Sequence, residues 1–323
     1  MTKSLLQCRD LSVRFRVMNG IVHAVNDVSL SIAHGECLGV VGESGSGKSQ
    51  CFLSIMGLLP RNASATGSVS FDGQEILNAP RNVMDRVRGG LISMIFQDTL
   101  AGLTPFMRIG EQLTEMLVEH QGLSEVAARQ RSLEVLEIVQ FPQPRRRLRM
   151  YPHELSGGMR QRVMIALALL CKPRLIIADE PTTALDITIQ AQILDFLGGL
   201  KRRTDTSIVL ITHDLGVAAE LCDRVIVMYA GRIVESGAID DIFSRPQHPY
   251  TQALLRATPS LDGDPNHDLP VIPGWPPDMQ RLPAGCAFAP RCEQVFDSCH
   301  QDRPALQTRF NNHLAACHRE QRR

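Results

Sequence analysis

Short runs of aliphatic and β-branched residues, "CLGVVG", "LIIAD" and "SIVLIT", recur along the chain between longer stretches whose apolar residues fall at helical spacing. Strands buried on both faces read as near-continuous apolar runs. Up to about Gly237 the pattern therefore predicts an α/β fold, a mostly parallel sheet with helices on both faces. Two hairpin signals interrupt it, Asp72-Gly73 in "GSVSFDGQEI" and Ala230-Gly231 in "RVIVMYAGRIVESG", which adds an antiparallel β subdomain. Between Leu100 and Tyr151 the strand pattern fades. "IGEQLTEMLVEH" and "SEVAARQRSLEVLEIV" instead predict a helical subdomain over about 98–160. Eleven of the nineteen prolines lie from Pro246 onward, so an irregular, turn-rich extension is expected over 245–323, after a larger domain over 1–244.

Composition narrows the classes. The 323 residues can build a large domain plus a smaller one. Lys and Arg (34) balance Asp and Glu (34), so there is no overall basic field to attract nucleic acid. The dense run "RRRLR" at 145–149 reads as a solvated surface. "MTKSLLQCRD" lacks the apolar core of a signal peptide, and no run approaches the roughly 18 apolar residues of a membrane span. The expectation is a cytosolic chain whose membrane role, if any, comes through partners. Nine cysteines in such a chain are more often buried thiols, metal ligands or redox groups than disulfides.

The chemistry concentrates in "GESGSGKS", Gly42 to Ser49, between the strand "ECLGVV" and the helix "SQCFLSIMGLL". This fits the phosphate-loop template of a P-loop NTPase core. Without Cβ atoms at Gly42, Gly45 and Gly47, successive N–H groups of Gly42, Glu43, Ser44, Gly45, Ser46 and Gly47 can turn towards phosphate oxygens. The following helix adds positive potential. Lys48 would reach the β- and γ-phosphates of a nucleotide, and Ser49 would ligate Mg²⁺. Further on, "RLIIADEP" ends an apolar strand in two carboxylates: Asp179 suits the Mg²⁺ shell, and Glu180 the role of general base to the attacking water. His213 follows another buried strand in "SIVLITHD" and is a candidate γ-phosphate contact. "HELSGGMRQR" supplies a second anion-binding helix start. One nucleotide has little use for two such turns from one chain, whereas two chains head to tail would use both.

With these motifs in order, the sequence resembles the ABC ATPases over nearly its whole length. "GESGSGKS" looks like Walker A, "LIIADE" like Walker B with its catalytic Glu180, and "LSGGM" like the signature motif with Ser156, Gly157, Gly158 and Met159. Gln97 in "IFQD" looks like the Q-loop, which would join Ser49 and Asp179 around Mg²⁺. Thr183 to Asp186 ("TALD") looks like the D-loop, His213 like the switch histidine, and Phe15 like the aromatic that stacks on adenine. Within the superfamily the chain is most similar to the ATPase subunits of bacterial dipeptide and oligopeptide importers. "HPYTQALLRATP", "GCAFAPRC" and a late "CH" are what carry that similarity.

The resemblance implies an ATP- and Mg²⁺-dependent ATPase that powers peptide import as an ATPase dimer closes on ATP and reopens after hydrolysis. It implies a second ATPase subunit, a paralogue more than a copy, two membrane permease subunits and an extracytoplasmic binding protein. The place of work would be peripheral, on the cytoplasmic face of the bacterial inner membrane. Nickel chelates are the alternative cargo. A soluble ABC protein acting on DNA or ribosomes is a weaker alternative, because the chain has one ATPase module and a short helical insertion. One segment departs from the subgroup: after Gln97 it reads "DTLAGLTP" where "DPMTSLNP" is usual.

Cys286, Cys292, Cys299 and Cys317 lie in the proline-rich tail. They are open to three readings: a [4Fe–4S] cluster, which similar tails imply, no metal, or a zinc site, for which the spacers are long. A metal would pin an otherwise floppy appendage.

Overall fold

Alternation is clearest in the long N-terminal strands. In β1 (Ser4–Val17), Leu6, Cys8, Leu11 and Val13 are buried; in β2 (Gly20–Ala33), Val28, Leu30 and Ile32 are buried while Asp27, Ser29 and Ser31 are exposed. That period of two marks strands with one face on a core and one in water. After the fully buried β3 (Cys37–Val41) and α1 (Lys48–Ile55) come β4 (Ala63–Phe71) and β5 (Gln74–Glu75). An antiparallel sheet results, in the order β2-β1-β4-β5, with Asp72-Gly73 at the hairpin the sequence predicts. The computed structural model describes residues 4–98, 102–182, 187–258 and 271–319.

The chain divides into two units, the first made of 1–33, 37–78 and 212–323, the second of 34–36 and 79–211. The second unit holds α2 (Arg81–Val87), β6 (Ile92–Ile95), α3 (Ile109–Gln121), α4 (Glu125–Ile138), α5 (Pro144–Arg147), α6 (Gly157–Leu170), β7 (Leu175–Asp179), α7 (Ile187–Arg203) and most of β8 (Ser207–Thr212). Strands β8-β7-β6 run parallel, and β7 is buried along its whole length, as fits an all-apolar parallel strand. Within 102–160 the described residues form α3 to α5 and the start of α6.

The first unit resumes with α8 (Leu215–Leu221), β9 (Arg224–Tyr229), β10 (Arg232–Ala238), α9 (Ile239–Ser244), α10 (Pro249–Ala257), α11 (Ser298–Gln301), β11 (Gln307–Phe310) and β12 (His313–Ala315). Its second run of strands has the order β11-β12-β10-β9-β3, with β3 parallel to β9 and the rest antiparallel. Among its described residues the tail is mostly irregular, but it also forms the β11–β12 hairpin. Asn311 and Asn312 both adopt positive φ, 40° and 63°, which is the geometry of a tight hairpin turn. The resulting β12 adds to the edge of β10 through Glu235 and Ser236. Strand pairing therefore docks this segment. Among the described residues no helix is long and apolar enough to cross a membrane.

Candidate active site

The phosphate loop lies in the first unit, between β3 and α1. A Cβ on Gly42 would stand 2.2 Å from the Met228 carbonyl oxygen, and one on Gly47 would stand 2.3 Å from that of Ala24. Gly47 also has φ 96° as it opens α1, a region that favours glycine. The loop thus closes against two backbone segments and leaves no room for side chains at these turns. Lys48 is 5% exposed, and its Nζ donates to the carbonyls of Gly42 (2.7 Å) and Glu43 (2.9 Å) and to Ser46 Oγ (3.4 Å). A buried ammonium needs such partners, and they hold it inside the curl of the loop. The Ser46 carbonyl accepts from Gly231 N–H, which anchors the loop to the β9–β10 turn. Phe15 is half-buried on β1, opposite Val22 and Ala63. His213 is exposed immediately after β8, where Asp214 caps α8 by accepting from Gly216 N–H at 2.7 Å.

In the second unit Asp179, 5% exposed, ends β7, and Glu180 follows at φ 45°. A left-handed non-glycine residue costs on the order of 1–3 kcal/mol and persists where its surroundings fix it. Here the Glu180 N–H donates to the Ile211 carbonyl, and its carboxylate accepts from Gln97 Nε2 at 3.0 Å. The structure therefore brings together two of the residues picked out by sequence. Ser156 caps α6, its Oγ accepting weakly from Met159 N–H at 3.4 Å, and Ser156 and Gly157 are exposed. Gln161 Nε2 donates to the Pro181 carbonyl at 2.6 Å, tying α6 to the segment that carries Glu180. Asp186 and the rest of "TALD", like Thr99 to Ala101 of the unusual segment, lie outside the described residues. As to Mg²⁺, the hydroxyl of Ser49, the amide oxygen of Gln97 and the carboxylate of Asp179 are hard oxygen donors, the type this ion takes.

A set of residues that the sequence does not flag surrounds Glu43 in the first unit. The Arg291 guanidinium donates to both carboxylate oxygens of Glu43, at 2.7 and 2.9 Å. The Glu43 N–H donates to Tyr250 Oη at 2.8 Å. Tyr229, Tyr250 and Phe288 form an aromatic cluster with centroid distances of 4.6 to 5.3 Å. Glu43 pushes the Arg291 pKa above its ordinary range. The available signals were "HPY" and "APR", visible in the sequence but not assignable to the loop across more than 200 positions.

The four tail cysteines line one cavity together with His248, Phe288 and Phe296. None is in a disulfide. Burial pushes Cys286 up to about 11 and raises Cys292 and Cys317 as well, so metal loading would have to displace protons. The cavity has about 10 Å³ of free room, enough for about one water. Among the described residues no three His, Cys, Asp or Glu are arranged to hold a metal ion. The donor set suits an iron–sulfur cluster, but as packed the residues do not fit one.

Comparison with known proteins agrees with the arrangement of the loop. Residues 25–183 match the ABC transporter family, and 234–299 match the oligopeptide/dipeptide transporter C-terminal region. The chain is 52% identical to the oligopeptide transport ATP-binding protein OppD of Salmonella typhimurium, over 97% of this chain and 93% of that one. It is 47% identical to OppD of Bacillus subtilis, over 94% and 85%. Among solved structures, the dimeric structure of MJ0796, a bacterial ABC transporter cassette, is similar with a TM-score of 0.66 and 29% identity, covering 72% of this chain and 98% of that one. The same cassette has been solved in a post-hydrolysis state bound to ADP and Pi, with the same score. A phosphate loop with its buried lysine, a strand ending in Asp179-Glu180 and an oligopeptide-transporter tail thus occur together, and the chain belongs to the oligopeptide transport ATP-binding proteins of the ABC transporter family.

Proposed function

We propose that this chain is the ATP-hydrolysing subunit that powers oligopeptide import through a membrane permease. Its likeness to oligopeptide transport ATP-binding proteins over 97% of its length carries the reading, and the loop that curls around Lys48 supports the chemistry. Phosphoryl transfer to water is mainly a matter of positioning and charge stabilisation. The loop amides from Gly42 to Ser49 and the Lys48 ammonium bind the phosphates, and Phe15 stacks on the base. Glu180 accepts a proton from the attacking water, oriented by its hydrogen bond to Gln97. His213 contacts the γ-phosphate. Mg²⁺, held by Ser49, Gln97 and Asp179, would neutralise phosphate charge.

Ser156, Gly157, Gly158 and Met159 act on the nucleotide of a second ATPase subunit, with Asp186 at the contact between the two chains. The exposure of Ser156 and Gly157 at the start of α6 supports that role, since a helix N-terminus that faces solvent can take an anionic ligand brought by another chain. The partner is a paralogue, and the pair works on two permease subunits supplied by an extracytoplasmic binding protein, at the cytoplasmic face of the membrane. In this proposal 1–244 is the ATPase part and 245–323 the extension. A [4Fe–4S] cluster on Cys286, Cys292, Cys299 and Cys317 is supported by the convergence of four thiols on one cavity and opposed by that cavity's size.

Uptake of labelled di- and oligopeptides by the native cell, wild type against Glu180→Gln, tests the whole reading. Loss of uptake is expected. Unchanged uptake, with ATP hydrolysis retained in the wild-type complex, would overturn the peptide cargo.

A further inference from the structure

We propose that Arg291 is a positioning residue for ATP binding: from the C-terminal extension it fixes the backbone of the phosphate loop through Glu43. The inference rests on the loop being the ATP site.

Glu43 is held at both ends. Its carboxylate receives the Arg291 fork, and its N–H is received by the Tyr250 hydroxyl. Arg291 is itself braced: its side chain is 4% exposed, Nε donates to the Pro273 carbonyl at 2.9 Å, Nη2 to that of Ile272 at 3.3 Å and Nη1 to Tyr229 Oη at 3.3 Å. The guanidinium also lies 5.9 Å from the centroids of Tyr229 and Phe288. A planar fork with five donors, fixed at this many points, sets both the distance and the direction of the carboxylate it binds.

The link to the nucleotide is short. The carbonyl of the same Glu43 accepts from Lys48 Nζ at 2.9 Å, and the adjacent Gly42 carbonyl does so at 2.7 Å. A shift of residue 43 therefore displaces the oxygens that orient the lysine, and with them the N–H groups at the start of the loop. A loop rich in glycine has many other conformations open to it. Clamping residue 43 before ATP arrives reduces the ordering that binding must otherwise impose. The Arg291 donors are taken up by Glu43, Tyr229 and the carbonyls of Ile272 and Pro273, so it acts on affinity through loop position.

The test compares equilibrium ATP affinity and turnover at saturating ATP in the assembled transporter. The variants are Arg291→Ala, Arg291→Lys, Glu43→Gln, the double variant Arg291→Ala/Glu43→Gln, and Lys48→Ala. Arg256→Ala is the control; it removes an exposed pair with Glu293 elsewhere in the extension. Losing a charge-assisted fork is expected to weaken ATP binding about tenfold in Arg291→Ala and Glu43→Gln, with saturating turnover of Arg291→Ala within about twofold of wild type. The double variant should be no worse than Arg291→Ala, Lys at 291 should restore part of the affinity, and Arg256→Ala should bind as wild type. Wild-type affinity in folded Arg291→Ala, or losses that add in the double variant, would overturn the proposal. If Arg291→Ala does not assemble, Glu43→Gln decides alone, and wild-type affinity there also overturns it. Undiminished ATP binding by Lys48→Ala would refute the ATP site itself, a result distinct from failure of the clamp.

Discussion

Glu235 is a buried anchor whose removal should destabilise the first unit. Its side chain has no solvent exposure, and its carboxylate accepts from three donors: Gln247 N–H at 2.6 Å, His248 N–H at 2.8 Å and His313 Nε2 at 2.6 Å. It joins β10 to the start of α10 and to β12. Burial pushes His248 down to about 4, and its neutral Nδ1 accepts from Tyr250 N–H, capping α10. Glu235→Gln keeps the shape but turns an –NH₂ towards donors, leaving at least one buried N–H without an acceptor, a loss of about 2 kcal/mol. Glu235→Ala strands both N–H groups and His313, and should cost about 4 kcal/mol. Urea denaturation of the two single variants, of His313→Ala and of Glu235→Ala/His313→Ala gives the values and the coupling. The double variant should lose less than the sum of its singles by about 1 kcal/mol or more. Should Glu235→Gln fall within about 0.5 kcal/mol of wild type, the shift expected of an ordinary surface substitution, the reading of a three-donor anchor is wrong.

Glu180→Gln should retain ATP binding, because the amide can still pair with Gln97, while hydrolysis in the assembled transporter falls by about 10²–10⁴, the usual contribution of a general base; near-normal turnover would remove Glu180 from that role. Gly42→Ala pushes a methyl to 2.2 Å from the Met228 carbonyl and should weaken binding of a fluorescent ATP analogue by more than about tenfold; wild-type affinity would mean the loop can yield there. Protein purified without oxygen and analysed for iron, with its visible absorbance recorded, tests the cysteine quartet. Stoichiometric iron would require a looser packing of the four thiols than the one described, and absence of both iron and absorbance rejects the cluster.

The strands and both predicted hairpins were readable because their information is local: "CLGVV" and "LIIAD" are apolar throughout, and Asp72-Gly73 is a turn by composition alone. The glycines and Lys48 stood out because they fall at the fixed offsets of the phosphate-loop template. The hairpin of the tail was missed since its turn, Asn311-Asn312, sits in a run of mixed polarity and its pairing edge on β10 lies some 80 positions earlier. Arg291 was missed for a related reason. A lone arginine between two cysteines looks like surface until the fold brings it to Glu43 and buries it. The burial of the quartet's surroundings was not legible either: Cys299 is 8% exposed, and Phe288 and Ala289, which line the same cavity, are buried. Spacing alone does not reveal a small satellite core.

The first unit is assembled from 1–33, 37–78 and 212–323, while the second, apart from 34–36, is one continuous stretch. On a ribosome this orders events in time. Contacts within 79–211 are available as soon as that stretch has emerged, but β9, β10 and β12, and the residues that brace Glu43, arrive last. Non-local contacts of this kind form slowly, so the glycine loop gains its full support only after residue 291 has been translated. A transcript cut short before codon 291 would therefore yield a product that carries every ATPase motif in its sequence and lacks the side chain that clamps the loop.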